Sequence, residues 1–216
     1  MSHLCDVSYG SLTELPGSVA RTRTCSRHAI VAYESHDLRR ARIEAFVQQA
    51  FARRHGACIK SFMPTLLALQ GRGDCVCGVV GFRNAGVQPL FLERYFAQPV
   101  EAALRERTGL AIDRERIVEV GNLASLSCRA AFHLVAVLPR VLIDRGNQWI
   151  VFTATSAVRG ILEKFRAPMI ELATASRDRV DNADEWGRYY ESDPRVMAGY
   201  LPDGIGLALR GARGLR

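Results

Sequence analysis

The sequence predicts a single-domain α/β fold: a mixed central β-sheet, flanked by helices, whose parallel strands splay apart at one end. Three observations carry this. Residues 117–155, IVEVGNLASLSCRAAFHLVAVLPRVLIDRGNQWIVFTAT, read as strand, helix and strand, and such a crossover makes its two strands parallel. Residues 61–70 and 75–83 read as two further strands joined by Gly71-Arg72-Gly73-Asp74, which is hairpin chemistry and makes them antiparallel neighbours. The chain has 216 residues, 48% of them hydrophobic, enough to bury one full core.

Taken in order, residues 1–28 mix Ser, Thr, Gly and Arg without periodicity and read as an N-terminal arm. The domain proper spans 29–201 and opens with a short strand, Ala29 to Tyr33. Asp37 is placed to cap a helix from Leu38 to His55, whose Ile43, Phe46, Val47, Ala50 and Phe51 form one stripe, and Gly56 ends it. Arg39, Arg40, Arg42, Arg53 and Arg54 make the opposite face, read as a solvated basic surface. After the hairpin and the segment Pro89 to Phe96, Pro99 starts a second helix and Gly109 stops it. In the crossover, Ala131, Leu134, Val135, Leu138, Val141 and Leu142 keep the 3.6-residue spacing of a helix lying on a sheet. Ser156 then caps a helix with Val158, Ile161, Leu162 and Phe165 on one side, and Ala167 to Ala173 returns as a loop and a strand. Residues 186–194 are aromatic and charged beyond what a linker needs. Residues 202–216, rich in Gly and Arg, read as a flexible tail.

Composition sets limits on function. The formal charge is +7, but 27 of the 29 basic residues are Arg, and no nucleic-acid recognition motif accompanies the charge. The longest apolar run, His133 to Ile143, is interrupted by Pro139 and Arg140 and is too short to span a bilayer, so no stable membrane insertion is expected. Without the pattern of a secretory signal peptide, the chain is expected in the cytoplasm. The six cysteines then read as reduced thiols, with Cys75 and Cys77 as core residues, and no His or Cys pair has the spacing of a zinc site, so no metal is expected.

Within the crossover, strand Ile117 to Ala124 carries Glu119 and Gly121 on one side and Val118, Val120 and Asn122 on the other. A carboxylate inside an apolar strand is out of place, and a lone Gly there marks a bulge or a close approach. A bulge at Gly121 encourages the parallel strands to part, leaving a cleft lined by backbone groups where ligands of open α/β sheets bind.

Three segments carry a family resemblance: PLFLERYFAQPVE at 89–101, IVEVGNLAS at 117–125, and the run from WIVFTAT at 149–155 through WGRYYESDPRV at 186–196. They resemble the thermostable hemolysin family of bacterial proteins. The same stretches are more loosely similar to the acyl-homoserine-lactone autoinducer synthases, which belong to the broad N-acetyltransferase-like (GNAT) fold. Gly81-Phe82-Arg83, Pro89 to Phe96 and Glu119-Val120-Gly121-Asn122 resemble three elements that line the substrate cleft of those synthases. Asn122 stands where that pattern has Arg, and Ser125 to Ala131 lacks the glycines of an acetyl-coenzyme A pyrophosphate loop.

The resemblance implies a GNAT-like N-acyltransferase moving an acyl group from a thioester to an amine such as an amino acid or its derivative. It implies no tightly bound cofactor, with acyl-CoA or a phosphopantetheine-linked acyl group as co-substrate and an acidic acyl carrier protein as a candidate partner. Such chemistry needs a base, donors for the thioester oxygen and a dry channel. Glu119 is the candidate base, or else a buried carboxylate paired with Arg83 or Arg94. Asn122, Thr153 and Thr155 are candidates to orient substrate, with Phe152 and Ser125 beside them, and Arg83 and Arg94 to hold a carboxylate or phosphate. The amides of Ser127, Cys128, Arg129 and Ala130 at the helix start are candidates for pantetheine or phosphate. The alternatives are a membrane-active hemolysin, as the family name has it, and a non-catalytic module that binds an acyl carrier.

Overall fold

A computed structural model describes residues 28–164 and 167–204 of the chain. Residues 1–27 of the expected arm, residues 205–216 of the expected tail and Phe165 lie outside the described residues. Seven strands form one mixed sheet: β1 (Ala29–Tyr33), β2 (Thr65–Gln70), β3 (Val76–Asn84), β4 (Ile117–Ser125), β5 (Trp149–Ala154), β6 (Met169–Thr174) and β7 (Arg195–Tyr200), in the order β1-β2-β3-β4-β5-β7-β6. Only β4 and β5 are parallel; every other neighbouring pair is antiparallel. The helices are α1 (Arg40–His55), α2 (Val100–Thr108), α3 (Cys128–Ile143) and α4 (Ser156–Lys164). The mixed sheet, its single parallel pair and the hairpin agree with the sequence.

Three apolar clusters cover the two faces. Ile43 and Val47 of α1 pack with Val31, Leu66 and Val79 on one face, and Val100 and Leu104 of α2 continue it over Ile117, Val151 and Val196. On the other face Leu134, Leu138 and Leu142 of α3 lie on Leu67, Val80 and Val118. Alternation along each strand sends successive residues to opposite helical layers, so both layers are filled from one sheet.

Several local readings change. α1 starts at Arg40 because Asp37 accepts the Arg39 amide (2.8 Å) within a turn instead of capping the helix. Arg40 leaves the solvated face: it is 6% exposed and donates to the carbonyls of Tyr33 (3.1 Å), Pro64 (2.6 Å) and Met63 (2.5 Å). That grip holds 61–64 out of the sheet, and β2 begins at Thr65 rather than Ser61. Thr155, not Ser156, caps α4, its Oγ1 and carbonyl taking the amides of Val158 and Arg159. Val135 is exposed at 38%, off the buried stripe of α3. Cys75 is exposed and Cys77 half-buried, because the hairpin end lifts them off the core.

The strand the sequence reading lacks is β7, Arg195–Tyr200. It lies between β5 and β6 and is antiparallel to both. After it, residues 201–204 form a helical turn, with Leu201 buried, so the start of the expected tail is ordered. Among the described residues no helix is long and apolar enough to cross a membrane.

Candidate active site

The parallel pairing of β4 and β5 is short. It runs from Ile117↔Trp149 to Val120↔Phe152 and stops. Past that couple β4 continues against β3 alone, and β5 against β7. The cause is a bulge: the β3–β4 register shifts between Val79↔Ala124 and Gly81↔Gly121, and Asn122 takes φ 51°. A left-handed residue cannot keep both neighbours in register, and Asn is among the few non-Gly residues that adopt it readily. The expected fork is therefore present, with Gly121 as the first residue beyond it.

The bulge also turns the Asn122 side chain. Simple alternation puts it with Val118 and Val120, yet its Oδ1 accepts the amide of Met63 (2.8 Å), which packs on the α1 face. Asn122 thus ties the loop between α1 and β2 to the fork.

Glu119 lies opposite Arg83, is 3% exposed, and has both oxygens engaged. Oε2 accepts the Phe91 amide (2.8 Å) and lies 3.3 Å from Arg83 Nε, while Oε1 accepts the Leu92 amide (3.1 Å). Burial pushes this carboxyl above the usual carboxylate range, opposed by the Arg83 guanidinium and the two amides. Its guanidinium partner is Arg83 and not Arg94. Arg94 instead donates to the Phe91 carbonyl (2.9 Å) and lies over the Phe91 ring, 3.8 Å from its centroid.

The turn that Glu119 holds, Phe91–Tyr95, is fixed from its other side by Glu93. That carboxylate accepts the amides of Leu90 (2.9 Å) and Val100 (3.1 Å) and pairs with Arg114 through both oxygens (2.5 and 2.8 Å). Hydrogen bonding from Arg114 holds the Glu93 carboxyl down at about 2. Two buried or half-buried carboxylates therefore set the position of one short turn.

The turn forms one wall of a cavity of about 300 Å³, lined by Ile59, Lys60, Ser61, Arg83, Phe91, Arg94, Val180, Asn182, Glu185 and Trp186. Three cations face one carboxylate there, and Lys60 Nζ is 2.6 Å from Glu185 Oε1. Among the described residues Arg94 has no carboxylate partner. The far wall comes from the long β6–β7 connection, docked on the end of α1 by Cys58 N to Glu185 O (2.6 Å) and Arg188 N to His55 O (2.8 Å). Gly187 makes that docking fit, since its φ of 52° and its contact with the His55 carbonyl leave no room for a Cβ. Behind Trp186 run Tyr189 and Tyr190; Tyr95 and Tyr190 share a hydrogen bond of 2.8 Å, and Tyr189 Oη reaches the Thr153 carbonyl beyond the fork (3.4 Å). Burial raises the phenol of Tyr189 above its ordinary value.

On the other side of the fork Ser127 caps α3, its Oγ accepting the Ala130 amide (3.2 Å). Ala130 is buried, whereas Cys128 and Arg129 are exposed and their amides make no hydrogen bond among the described residues. Ser125 closes β4 opposite Gly78, Phe152 ends the parallel pair, and Thr155 is spent on capping α4. The structure thus gathers Arg83 and Arg94 at the cavity with Glu119 buried behind them, and Asn122, Phe152 and Thr153 at the fork, with Ser125 and Ser127 to Ala130 farther along the β4–α3 turn. Sequence reasoning missed Lys60, Met63, Glu185 and Trp186; only the aromatic crowding of 186–194 signalled any of them. Among the described residues no cluster of His, Cys, Asp and Glu could hold a metal ion.

Comparison with known proteins agrees with this architecture. Solved structures share the fold at low identity. The acyl-homoserine-lactone synthase LasI superposes with a TM-score of 0.60 at 15% identity, covering 85% of this chain and 94% of that one. FeeM, an N-acyl amino acid synthase from uncultured soil microbes, gives 0.56 at 17%, covering 81% and 92%. BjaI, a CoA-dependent acyl-homoserine lactone synthase solved with SAM and isopentyl-CoA, gives 0.53 at 14%, covering 84% and 87%. No curated protein sequence matches the chain. Residues 33–205, however, match the family model described as thermostable hemolysin. With the GNAT-like fold in place and four-fifths of its length inside that match, the chain belongs to the thermostable hemolysin family.

Proposed function

We propose that the protein is an N-acyltransferase that moves an acyl group from a thioester of coenzyme A or of an acyl carrier protein to an amine, an amino acid or its derivative. The observation that carries this reading is the fork: β4 and β5 stop pairing at Val120↔Phe152 and offer unpaired backbone edges beside a bulged Gly121-Asn122. An extended pantetheine arm hydrogen-bonds such edges as a strand does, and its thioester then lies at Gly121. The amides of Cys128 and Arg129 at the capped start of α3 suit the arm's phosphate end. Two of the solved neighbours are synthases of acyl-homoserine lactones and one of N-acyl amino acids, which supports an amine as acceptor.

The acceptor occupies the cavity on the opposite face. Its carboxylate pairs with Arg94, and with the outward edge of Arg83. Its neutral amine nitrogen attacks the thioester carbon, the C–N bond forms, the C–S bond breaks, and the proton the amine gives up passes through water to the departing sulfur, which leaves as the thiol. Backbone amides at the fork take the charge on the carbonyl oxygen. Two roles are open to Glu119, base or anchor. The anchor is favoured, because both oxygens already hold the turn that carries Phe91 and Arg94.

Incubating purified protein with an acyl-CoA series and the common amino acids, then identifying products by mass spectrometry, tests the reaction. An N-acyl amino acid and free CoA thiol are expected, and Arg94→Ala should raise the acceptor KM by about tenfold or more. Absence of product with both CoA and carrier-protein thioesters, from protein that melts cooperatively, refutes the assignment.

A further inference from the structure

Gly81 and Gly121 face each other across β3 and β4 on the side of the sheet that carries Arg83 and Glu119. Two bare backbones side by side leave a trough. Met63 runs along it, with Leu66 beside it at Gly81: a Cβ on Gly81 would fall 2.6 Å from Met63 Cβ and 2.9 Å from Leu66 Cδ2, and a Cβ on Gly121 would fall 2.6 Å from Met63 Cε. The Met63 methyl therefore rests on the first residue beyond the fork. Its sulfur receives Arg83 Nε at 3.1 Å, and Arg83 lines the cavity with Ile59, Lys60 and Ser61 of the same loop. Met63 is 6% exposed, and beside the Arg83 contact at its sulfur it is fixed through its backbone, the amide by Asn122 and the carbonyl by Arg40. It stands between the cavity and the fork.

We propose that Met63 is the specificity-determining residue for the acyl group, its thioether filling the space that the first carbons of the acyl chain take when the thioester lies at Gly121. This rests on the acyltransferase reading above. An unbranched side chain with several rotatable bonds and a polarizable sulfur adapts to an irregular neighbour, so it can swing along the trough while its backbone stays fixed. The two glycines are what make room for it: any side chain at 81 or 121 removes the trough. Shortening residue 63 lengthens the trough along Gly81 and Gly121, and a volume-conserving change leaves it as it is.

The test compares wild type, Met63→Ala, Met63→Val and Met63→Leu across straight-chain acyl-CoAs from acetyl to dodecanoyl. CoA thiol release is measured with amino acid acceptors, acyl-CoA binding by calorimetry, and folding by thermal melting. Met63→Ala should shift the kcat/KM ratio of longer to shorter chains upward by about tenfold or more, since one methylene in an apolar pocket discriminates on that scale. Met63→Val should move the same way by less, and Met63→Leu should keep the wild-type profile. If Met63→Ala does not fold, the Val variant decides by the same sign. A profile unchanged in shape in the folded Ala or Val variant overturns the proposal, as does a uniform loss at every chain length. Should wild type bind the series without turning it over, the acyl-transfer reading falls alone, and the calorimetric chain-length profile decides Met63. Should wild type neither bind nor turn over any member, both fall.

Discussion

Replacing Glu119 by Gln separates its two candidate roles, because the change keeps shape and removes charge. In the native protein the carboxylate accepts from Phe91 N at 2.8 Å and Leu92 N at 3.1 Å and faces Arg83 at 3.3 Å. Gln offers one oxygen and one NH₂, so one of the two amides meets a donor. Leu92 is fully buried, and an orphaned amide there costs about 1–3 kcal/mol. Arg83 also loses its counter-charge, but it lines the cavity and can take water, which keeps that loss well under the ~3–5 kcal/mol of a sealed pair. The total is about 2–4 kcal/mol, which lowers Tm by roughly 5–15 °C in a domain of this size. The turn at Phe91–Tyr95 loosens with it, so the acceptor KM rises while the pH dependence of turnover keeps its shape. Thermal melting and a kcat and KM series against pH read both effects. If E119Q melts within about 1 °C of wild type, and kcat falls with KM unchanged, the anchor role is wrong and Glu119 is the base.

Glu93 gives a pH signature. Its folded carboxyl is held at about 2, below its ordinary 4.5, so the unfolded chain binds the proton first. Its contribution is full above about pH 4.5 and is lost as pH falls toward about 2; the whole shift is worth at most about 3 kcal/mol, and nearer 2 given partial solvent access. Denaturant titrations across that window should show wild type losing stability more steeply than Glu93→Gln, and parallel curves would contradict the ion-pair reading. Gly187→Ala should cost about 3 kcal/mol or more, because φ 52° with ψ −126° suits only glycine and the His55 carbonyl occupies the place of a Cβ. Urea unfolding midpoints test it, and a change within about 0.5 kcal/mol would mean the β6–β7 connection does not dock on α1 as described.

The local patterns of the chain were enough to find most elements. Period-3.6 stripes placed α1 and α3, Gly56 and Gly109 marked two helix ends, and the strand-helix-strand run fixed the one parallel pair, because each of these signals depends on near neighbours alone. The family likeness was legible in the same way, from contiguous residues. Gly121 within a strand marked the fork. What the sequence could not give depends on contacts distant along the chain. Arg40 looks like its solvated neighbours until the carbonyls of Tyr33, Met63 and Pro64 converge on it. β7 became a strand by insertion between β5 and β6, and its own run, Arg195-Val196-Met197-Ala198-Gly199-Tyr200, has too few strand-forming residues and no alternation to declare itself. Glu119 was recognisable as a misplaced carboxylate, but its partners lie 27 and 28 residues upstream, in a turn with no pattern of its own. Met63, from a loop, was brought onto Gly81 and Gly121 only by folding. Sequence alone therefore determined that the sheet is mixed, its parallel pair and the place where that pair parts, whereas the tertiary structure decided where β7 enters the sheet and which side chains meet at the fork, since strand pairing, burial and charge pairing act between residues that the chain keeps far apart.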